Sequence, residues 1–336
     1  MRFVLLSVVA YLLVLSCTKP SSFQHNIKSN AKPWTSEPSR QADDKFSFAV
    51  ISDLNGEERD SIFDVAVAQM NLLKPEFILS IGDLINGGTE DTLQLKKEFD
   101  RFDERVAKAG APFMHVGGNH DLTNVTMRKF WEKRYGARYY HFVYNNVLFL
   151  IIDSEDYDEA RMQEVYLARK RAIELLDSGK RDEAEKSSYF KMPERATGKM
   201  SSDQAAYFEK VLKDNPNVRW TFLFMHKPIW KGEGEGNLSR IESALAGRKY
   251  TVMNGHLHNY SYTLKNERDY IMLGTTGGGQ NANSKNSFDH IAWITMTNDG
   301  PCIANLKLPG ILDKTAKIPL NGEKFCFSAS ECGEQE

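Results

Sequence analysis

The sequence is short of cysteine and has no excess of positive charge. Four cysteines occur among 336 residues, and no two stand in a Cys-x-x-Cys spacing, which argues against a cysteine zinc site. The formal net charge is −2, and no basic tract is interleaved with aromatic residues, so nucleic acid is not an expected partner. Neither a Gly-x-Ser-x-Gly elbow nor a nucleotide-binding P-loop is present, so those two classes of enzyme are not indicated.

No apolar run has the length of a typical transmembrane helix. The most apolar stretch is residues 3–15, which follow Arg2 and precede Ser16-Cys17. This pattern resembles a bacterial lipoprotein signal, with residues 1–16 as signal peptide and a lipid on Cys17. An ordinary signal peptide and an uncleaved N-terminal anchor are the alternatives. Each of the three exports the chain, so we expect a periplasmic or cell-surface protein, held to the membrane through Cys17.

The rest of the chain divides by composition. Residues 17–44 are rich in Ser, Pro, Asn, Lys and Gln without apolar periodicity, which predicts a disordered tether. One domain is expected at 45–310, followed by a C-terminal tail at 311–336. Cys326 and Cys332 are close enough in sequence to close a small loop in that tail, which would leave Cys302 unpaired.

Strand and helix patterns alternate through the domain. Strands are expected at 46–52, 77–81, 113–116, 139–144, 147–153, 219–225, 250–253, 260–264, 270–273, 290–297 and 302–308, and helices at 61–73, 92–109, 125–135 and 203–213. This alternation predicts an α/β fold.

Residues 154–199 interrupt the alternation with a long, highly charged segment. Apolar residues lie on one helical stripe there: Met162, Val165, Tyr166, Ile173 and Leu176. The stripe predicts a helix that ends near Ser178-Gly179, with a second, shorter helix at 181–188. Such a helical insertion is either a lid over an active site or a solvated surface hairpin.

Short polar motifs come directly after five of the predicted strands. In chain order they are Asp53-Leu54-Asn55, Gly82-Asp83-Leu84-Ile85-Asn86, Gly118-Asn119-His120-Asp121, His226-Lys227-Pro228 and Gly255-His256-Leu257-His258. Ligands of open α/β sheets bind beyond the carboxyl ends of the strands, so side chains at one edge converge. Their carboxylate, amide and imidazole groups are ligands that Mn, Fe and Zn accept. The motifs therefore predict a metal site.

This ordered set resembles the calcineurin-like metallophosphoesterase family, and the resemblance covers residues 46–308. The family pattern is Asp-x-His, Gly-Asp, Gly-Asn-His followed by Asp or Glu, a later His, and Gly-His-x-His. The resemblance implies a four-layer α/β/β/α sandwich with two mixed β-sheets. The metal site would lie at the C-terminal edge of the strands, and the helical insertion at 154–199 would be an addition to that fold.

The resemblance also implies two divalent metal ions, Mn, Fe or Zn, with Mn favoured. Asp83 would bridge both ions, Asp53 and His258 would bind the first, and the second would take Asn119, His226 and His256. A metal-bridging hydroxide would then attack the phosphorus, and His120 would donate a proton to the leaving group.

Two positions depart from the family pattern. Asn55 stands where the family has a histidine ligand of the first metal, and an amide oxygen is a harder and weaker donor than imidazole. We expect Asn55 to ligate the first metal through its oxygen; the alternatives are that a water takes its place or that the first metal binds weakly. Asn86 is expected to accept a hydrogen bond from His120 through its amide carbonyl and so to orient the catalytic imidazole. Asp121 is expected to form a local turn or cap.

The expected function is metal-dependent hydrolysis of a small-molecule phosphomonoester or phosphodiester. The alternative is a non-catalytic exported lipoprotein that retains the fold and a single metal for binding or structure, and Asn55 is the feature that favours it. A calcineurin-like protein phosphatase is less favoured, because the insertion shows no sign of a groove for a phosphoprotein.

Overall fold

The computed structural model describes residues 23–38, 45–232 and 236–332. The predicted signal peptide at 1–16 and Cys17 lie outside the described residues. Within the described ranges, no helix is long and apolar enough to cross a membrane. The strands are β1 Phe23–His25, β2 Phe46–Ile51, β3 Ile78–Ser80, β4 Phe113–Met114, β5 Tyr140–Tyr144, β6 Val147–Ile152, β7 Trp220–Met225, β8 Tyr250–Asn254, β9 Ser261–Lys265, β10 Arg268–Met272, β11 His290–Met296 and β12 Pro301–Lys307.

Helices occupy most of the connections between these strands. They are α1 Ile62–Leu73, α2 Thr92–Val106, α3 Asn119–Leu122, α4 Val125–Tyr135, α5 Glu159–Asp177, α6 Arg181–Lys186, α7 Ser202–Asp214, α8 Gly236–Ala244 and α9 Ala329–Cys332. The predicted strands and helices all exist, with bounds that differ by up to three residues. α8 was not predicted, because its sequence begins in a glycine-rich loop.

Two mixed sheets contain all the strands described. The larger sheet has the order β1-β5-β6-β7-β8-β10-β9, and the smaller has the order β12-β11-β2-β3-β4. Strands β6, β7, β8 and β10 are parallel, as are β2, β3 and β4, whereas the remaining neighbours pair antiparallel. The parallel strands of each sheet therefore end at a common edge.

Alternating apolar residues join the layers. In β2, Phe48 and Val50 face the larger sheet, where Phe48 contacts the ring of Phe222 edge-on at 5.4 Å between centroids. Ala49 and Ile51 face the opposite way and join the cluster formed with α1, α2 and α4. A third cluster packs α7 and α8 on the outer face of the larger sheet. The layers thus run helix, sheet, sheet, helix, which confirms the predicted four-layer α/β/β/α sandwich.

The prediction of a disordered tether at 17–44 is wrong for residues 23–38. β1 pairs antiparallel with β5 along the edge of the larger sheet, and Trp34 is buried at 5% exposure. The Trp34 ring packs against Phe23 and Tyr140, with centroids 5.4 and 5.9 Å away. Backbone pairing and these aromatic contacts together hold residues 23–38 on the domain.

The C-terminal tail, from 311 to the last described residue at 332, also packs on the domain. Ile318 and Phe327 join the apolar cluster beside α1. Cys326 and Cys332 form a disulfide with Cα atoms 5.9 Å apart, and Cys302 is a free, exposed cysteine. The expected disulfide pair is therefore confirmed.

Candidate metal centre

The carboxyl ends of parallel strands from both sheets bring the five motifs to one edge of the sandwich. The smaller sheet supplies Asp53 after β2, Asp83 after β3 and Asn119 after β4, and the larger sheet supplies His226 after β7 and His256 after β8. Each of these side chains follows an apolar strand that is buried on both faces, so its position is fixed by the core.

Four of the candidate ligands have a backbone that residues with a side chain rarely adopt. The φ angles are positive for Asp53 (49°), Asp83 (55°), His256 (79°) and His258 (49°). A left-handed conformation at a non-glycine residue costs on the order of 1 kcal/mol or more and persists where the surrounding structure imposes it. The concentration of such residues at one edge points to a functional site.

Backbone carbonyls fix one nitrogen of each histidine. His226 Nδ1 donates to the Ile81 carbonyl at 2.8 Å, His258 Nδ1 to the Gly279 carbonyl at 2.5 Å, and His256 Nε2 to the Arg195 carbonyl at 2.8 Å. Because a carbonyl only accepts, this nitrogen of each ring carries a proton, and the opposite nitrogen is left to face the other candidate ligands. This is the arrangement by which proteins orient histidine ligands of a metal.

The donor atoms form two groups that share Asp83. Asp53, Asp83 and His258 make one group, and Asp83, His226 and His256 make the other, with the donor atoms of each group within 4.8 Å of one another. His226 Nε2 lies 3.2 Å from Asp83 Oδ2 and 3.1 Å from Asn119 Oδ1, so Asn119 belongs with the second group.

The charges of these donors fit a cation. Burial alone would raise the pKa of Asp83, but His226 and His120 outweigh burial and hold that pKa well below its usual range. Burial would lower the pKa of His226, yet Asp83 raises it to about 9, and Asp53 raises the pKa of His258 to about 8 in the same way. Buried carboxylates therefore attract protons onto neighbouring imidazoles, and divalent cations would supply the same positive charge.

His120 belongs to neither donor group. Its backbone N–H donates to Asp83 Oδ1 at 2.8 Å, and its ring Nδ1 donates to the backbone carbonyl of Asn86 at 2.6 Å. The expected partner was the side-chain amide of Asn86, and this prediction is wrong, because the chain turns so that the main-chain oxygen meets the ring. Burial, first of all, lowers the pKa of His120 to about 4.

Asp121 caps the loops around His120. Its carboxylate accepts hydrogen bonds from the Gly118 N–H at 2.8 Å and from the Leu84 N–H at 3.0 Å. The predicted role of Asp121 as a local cap is confirmed by these bonds.

Asn55 is held next to Asp83, whose backbone carbonyl accepts from the Asn55 N–H at 3.1 Å. Its side-chain amide donates to the Leu84 carbonyl at 2.7 Å, and it lines a separate cavity with Glu58, Phe102 and Arg105. This hydrogen bond gives Asn55 a role in holding the loop after β3, and its ligation of the first metal through the amide oxygen stays a prediction.

The insertion contributes a residue that the motifs did not reveal. Arg169 on α5 has its Nη2 3.0 Å from His120 Nε2. It follows Met162 by seven residues and Tyr166 by three, so it lies on the predicted apolar stripe. A charged residue on that buried stripe is the signal that could have identified it. Ile173, which was assigned to the same stripe, is instead 38% exposed.

A cleft of about 840 Å³ opens onto the candidate ligands. The insertion forms one wall of it, through Arg169, Ile173, Leu176, Tyr189 and Arg195. The insertion is thus part of the cleft, as the lid interpretation expects, and a solvated surface hairpin does not describe it.

Known proteins share both the sequence pattern and the fold. The calcineurin-like phosphoesterase model matches residues 46–260. A human serine/threonine-protein phosphatase, CPPED1, is 32% identical over 113 residues, which are 30% of this chain and 34% of that protein. A probable glycerophosphodiester phosphodiesterase, GpdQ, from Arcobacter nitrofigilis is 25% identical over 203 residues, 58% of this chain and 60% of that protein. The chain thus spans about a third and about three fifths of these two relatives.

A dimetal phosphatase from Danio rerio has a similar structure. It superposes with a TM-score of 0.54 at 14% identity, over 78% of this chain and 96% of that one. At this identity the likeness concerns the fold, and it agrees with the four-layer sandwich described above.

Proposed function

The chain belongs to the calcineurin-like phosphoesterase family, and we propose that it is a metal-dependent hydrolase of a small-molecule phosphomonoester or phosphodiester. The observation that carries this proposal is the pair of donor groups that share Asp83 at the floor of one cleft. A shared carboxylate between two sets of nitrogen and oxygen donors is what two neighbouring divalent cations require.

The proposed ligands divide between two cations as the geometry groups them. Asp53, Asp83 and His258 would hold the first, and the second would take Asp83, Asn119, His226 and His256. When bound, the cations would neutralise phosphate oxygens and lower the pKa of a water to make a nucleophile near neutral pH. Mn²⁺ is favoured because carboxylate oxygens predominate in the first group, although Fe and Zn accept the same donors.

His120 is the proposed proton donor to the leaving group. Its Nδ1 is held by Asn86, so Nε2 is the ring atom available on the side of the cleft. As found, Nε2 accepts from Arg169, and a proton on that atom requires Arg169 to take another acceptor. A substrate anion in the cleft would be that acceptor.

Turnover of three esters by the full-length chain, purified in detergent, tests the proposal. The substrates are p-nitrophenyl phosphate, bis-p-nitrophenyl phosphate and a glycerophosphodiester, chosen because one relative is a probable glycerophosphodiester phosphodiesterase. We expect hydrolysis that rises with added Mn²⁺ and is lost in His120→Ala. The ratio of monoester to diester rates assigns the substrate class. A folded, metal-loaded protein that hydrolyses none of the three would count against the proposal.

A non-catalytic lipoprotein with a single metal is the second candidate. The observation that favours it is the position of Asn55, which leaves fewer side-chain donors in the first group than in the second. Metal analysis of the purified protein separates the two candidates. Two ions per chain support the hydrolase, and one tightly held ion supports the binding protein.

We also propose that the protein is exported and lipid-anchored at Cys17, on the strength of residues 1–17 of the sequence. Labelling with a radioactive fatty acid in cells tests this anchor. The label should appear in the wild type and be absent from Cys17→Ser, and an unlabelled wild type would eliminate the lipid anchor.

A further inference from the structure

Arg169 is a buried cation without an anionic partner. The residue is 8% exposed on α5 and lines the cleft beside Asp83 and Asn119. Among the residues that the structure describes, no carboxylate lies within ion-pair distance of its guanidinium, and its hydrogen-bond acceptor there is the neutral ring of His120. The other two arginines that are buried in the described ranges are engaged by the protein, since Arg105 pairs with Glu58 and Arg128 donates to the backbone carbonyls of Glu155 and Tyr157.

The hydrogen-bonding groups of Arg169 lie at the lining of the cleft. None of its nitrogens is among the buried side-chain atoms that lack a hydrogen bond, so those without a protein partner are accessible to solvent or to a ligand. A buried charge is costly unless it is paired and hydrogen-bonded. A guanidinium offers parallel N–H groups that match two oxygens of one phosphate.

We propose that Arg169 is a substrate-binding residue, which donates hydrogen bonds to non-bridging oxygens of the phosphoryl group beside the two donor groups. This inference rests on the proposed function and adds to it that the insertion supplies the anion-binding side chain. When the substrate binds, Arg169 would release its hydrogen bond to His120 Nε2 and donate to the phosphoryl oxygens instead. The insertion is therefore a component of the substrate site, in addition to being its wall.

The same helix offers a matched control. Arg171 lies two residues further along α5, has a side chain 67% exposed, and pairs with Glu174 on the helix surface. Arg169→Met and Arg171→Met remove the same charge from α5, one in the cleft and one in solvent. Arg169→Lys keeps the charge but loses the fork of N–H groups.

Binding of orthophosphate to the Mn²⁺-loaded, full-length protein, measured by calorimetry, is the primary test. Loss of hydrogen bonds to a charged group predicts affinity roughly 10- to 100-fold weaker in Arg169→Met, partly restored in Arg169→Lys and unchanged in Arg171→Met. KM for p-nitrophenyl phosphate should rise by a similar factor in Arg169→Met. Metal content should stay at the wild-type value, and the melting temperature should not fall, because the change removes an unpaired charge.

The outcomes separate this inference from the proposed function. If Arg169→Met binds orthophosphate as the wild type does, Arg169 is not a phosphate ligand, whatever the turnover. If Arg169→Met loses metal or melts early, while Arg169→Lys does the same, Arg169 acts through the fold and the inference is overturned. If the wild type hydrolyses no ester but binds orthophosphate through Arg169, the anion site stands and the proposed hydrolysis does not.

Discussion

Asp83 is the residue on which both donor groups depend. Its carboxylate faces His226 Nε2 at 3.2 Å on one side and joins Asp53 and His258 on the other. We predict that Asp83→Ala loses both metals and all turnover together, since both groups lose the carboxylate that they share. Elemental analysis and a turnover assay on the same sample check this, with the exposed Asp60→Ala as control. Wild-type turnover in Asp83→Ala would show that the site is assigned wrongly.

His120 should behave in the opposite way with respect to metal. Because it lies outside both donor groups, we predict that His120→Ala keeps the wild-type metal content. Its kcat should fall by about 10²–10⁴, the usual range for loss of a general acid. Steady-state kinetics with metal analysis of the same preparation measure both quantities. Loss of metal along with activity would mean that His120 helps to hold a cation.

Sequence motifs identified some residues of the site and could not identify others. Asp53, Asp83 and His226 come directly after buried strands, and the shared edge of parallel strands brings such residues together whatever lies between them. The positions of Asn55 and Arg169 depend on hydrogen-bond partners far away in sequence. Asn55 pairs with Leu84, and Arg169 reaches His120 across 49 residues. Spacing alone carries no information on contacts of that kind.

Among the elements, the strongly apolar ones were predicted well. β2 and β7 are mostly apolar, with one polar residue each, and all but one position of each strand is buried. Such runs have few alternatives to a central strand. β1 is three residues long within a polar segment, so its structure comes from tertiary packing, which local propensity does not contain. On α5 the buried face differs from the predicted apolar stripe: Arg169 and Ala172 are buried, whereas Ile173 is exposed.

The segment around β1 should contribute to stability through Trp34. Its ring packs between Phe23 and Tyr140 and is 5% exposed. We predict that Trp34→Ala lowers the free energy of unfolding by about 3–5 kcal/mol, the usual cost of truncating a buried tryptophan. Urea denaturation measures the change, and Lys28→Ala, at an exposed position of the same segment, is the control. Equal stability of the two variants would restore the view of residues 23–38 as a tether.

At the scale of the whole molecule, two sheets and an insertion meet at one edge. The smaller sheet contributes the carboxylates, the larger sheet contributes histidines, and the insertion contributes Arg169 and the Arg195 carbonyl that orients His256. The insertion both forms a wall of the cleft and holds His256, a proposed ligand of the second cation. The position of the insertion relative to the sandwich is therefore coupled to the geometry of the ligands.

The stability of the whole domain should fall in mild acid through His115, which lies in the core away from the cleft. Its ring stacks on Tyr135 at 4.3 Å, and neither ring nitrogen has a hydrogen-bond partner among the residues that the structure describes. Burial lowers the pKa of His115 to about 4, against the opposing effect of Asp103. Since the unfolded chain takes up the proton near pH 6.5 and the folded protein only near pH 4, stability is lost as the pH falls through this window.

Replacement of His115 should remove this part of the acid sensitivity. By pH 4.5 the pKa shift of His115 corresponds to about 2–3 kcal/mol of lost stability. Between pH 7.5 and pH 4.5, the free energy of unfolding of His115→Phe should therefore fall by about 2–3 kcal/mol less than that of the wild type. Urea denaturation in the presence of a chelator, which keeps metal release out of the comparison, measures the difference. His25→Phe, at a half-buried position of β1, is the control. The prediction is wrong if the wild type and His115→Phe lose the same stability over this range. That result would mean that His115 has the same pKa in the folded protein as in the unfolded chain.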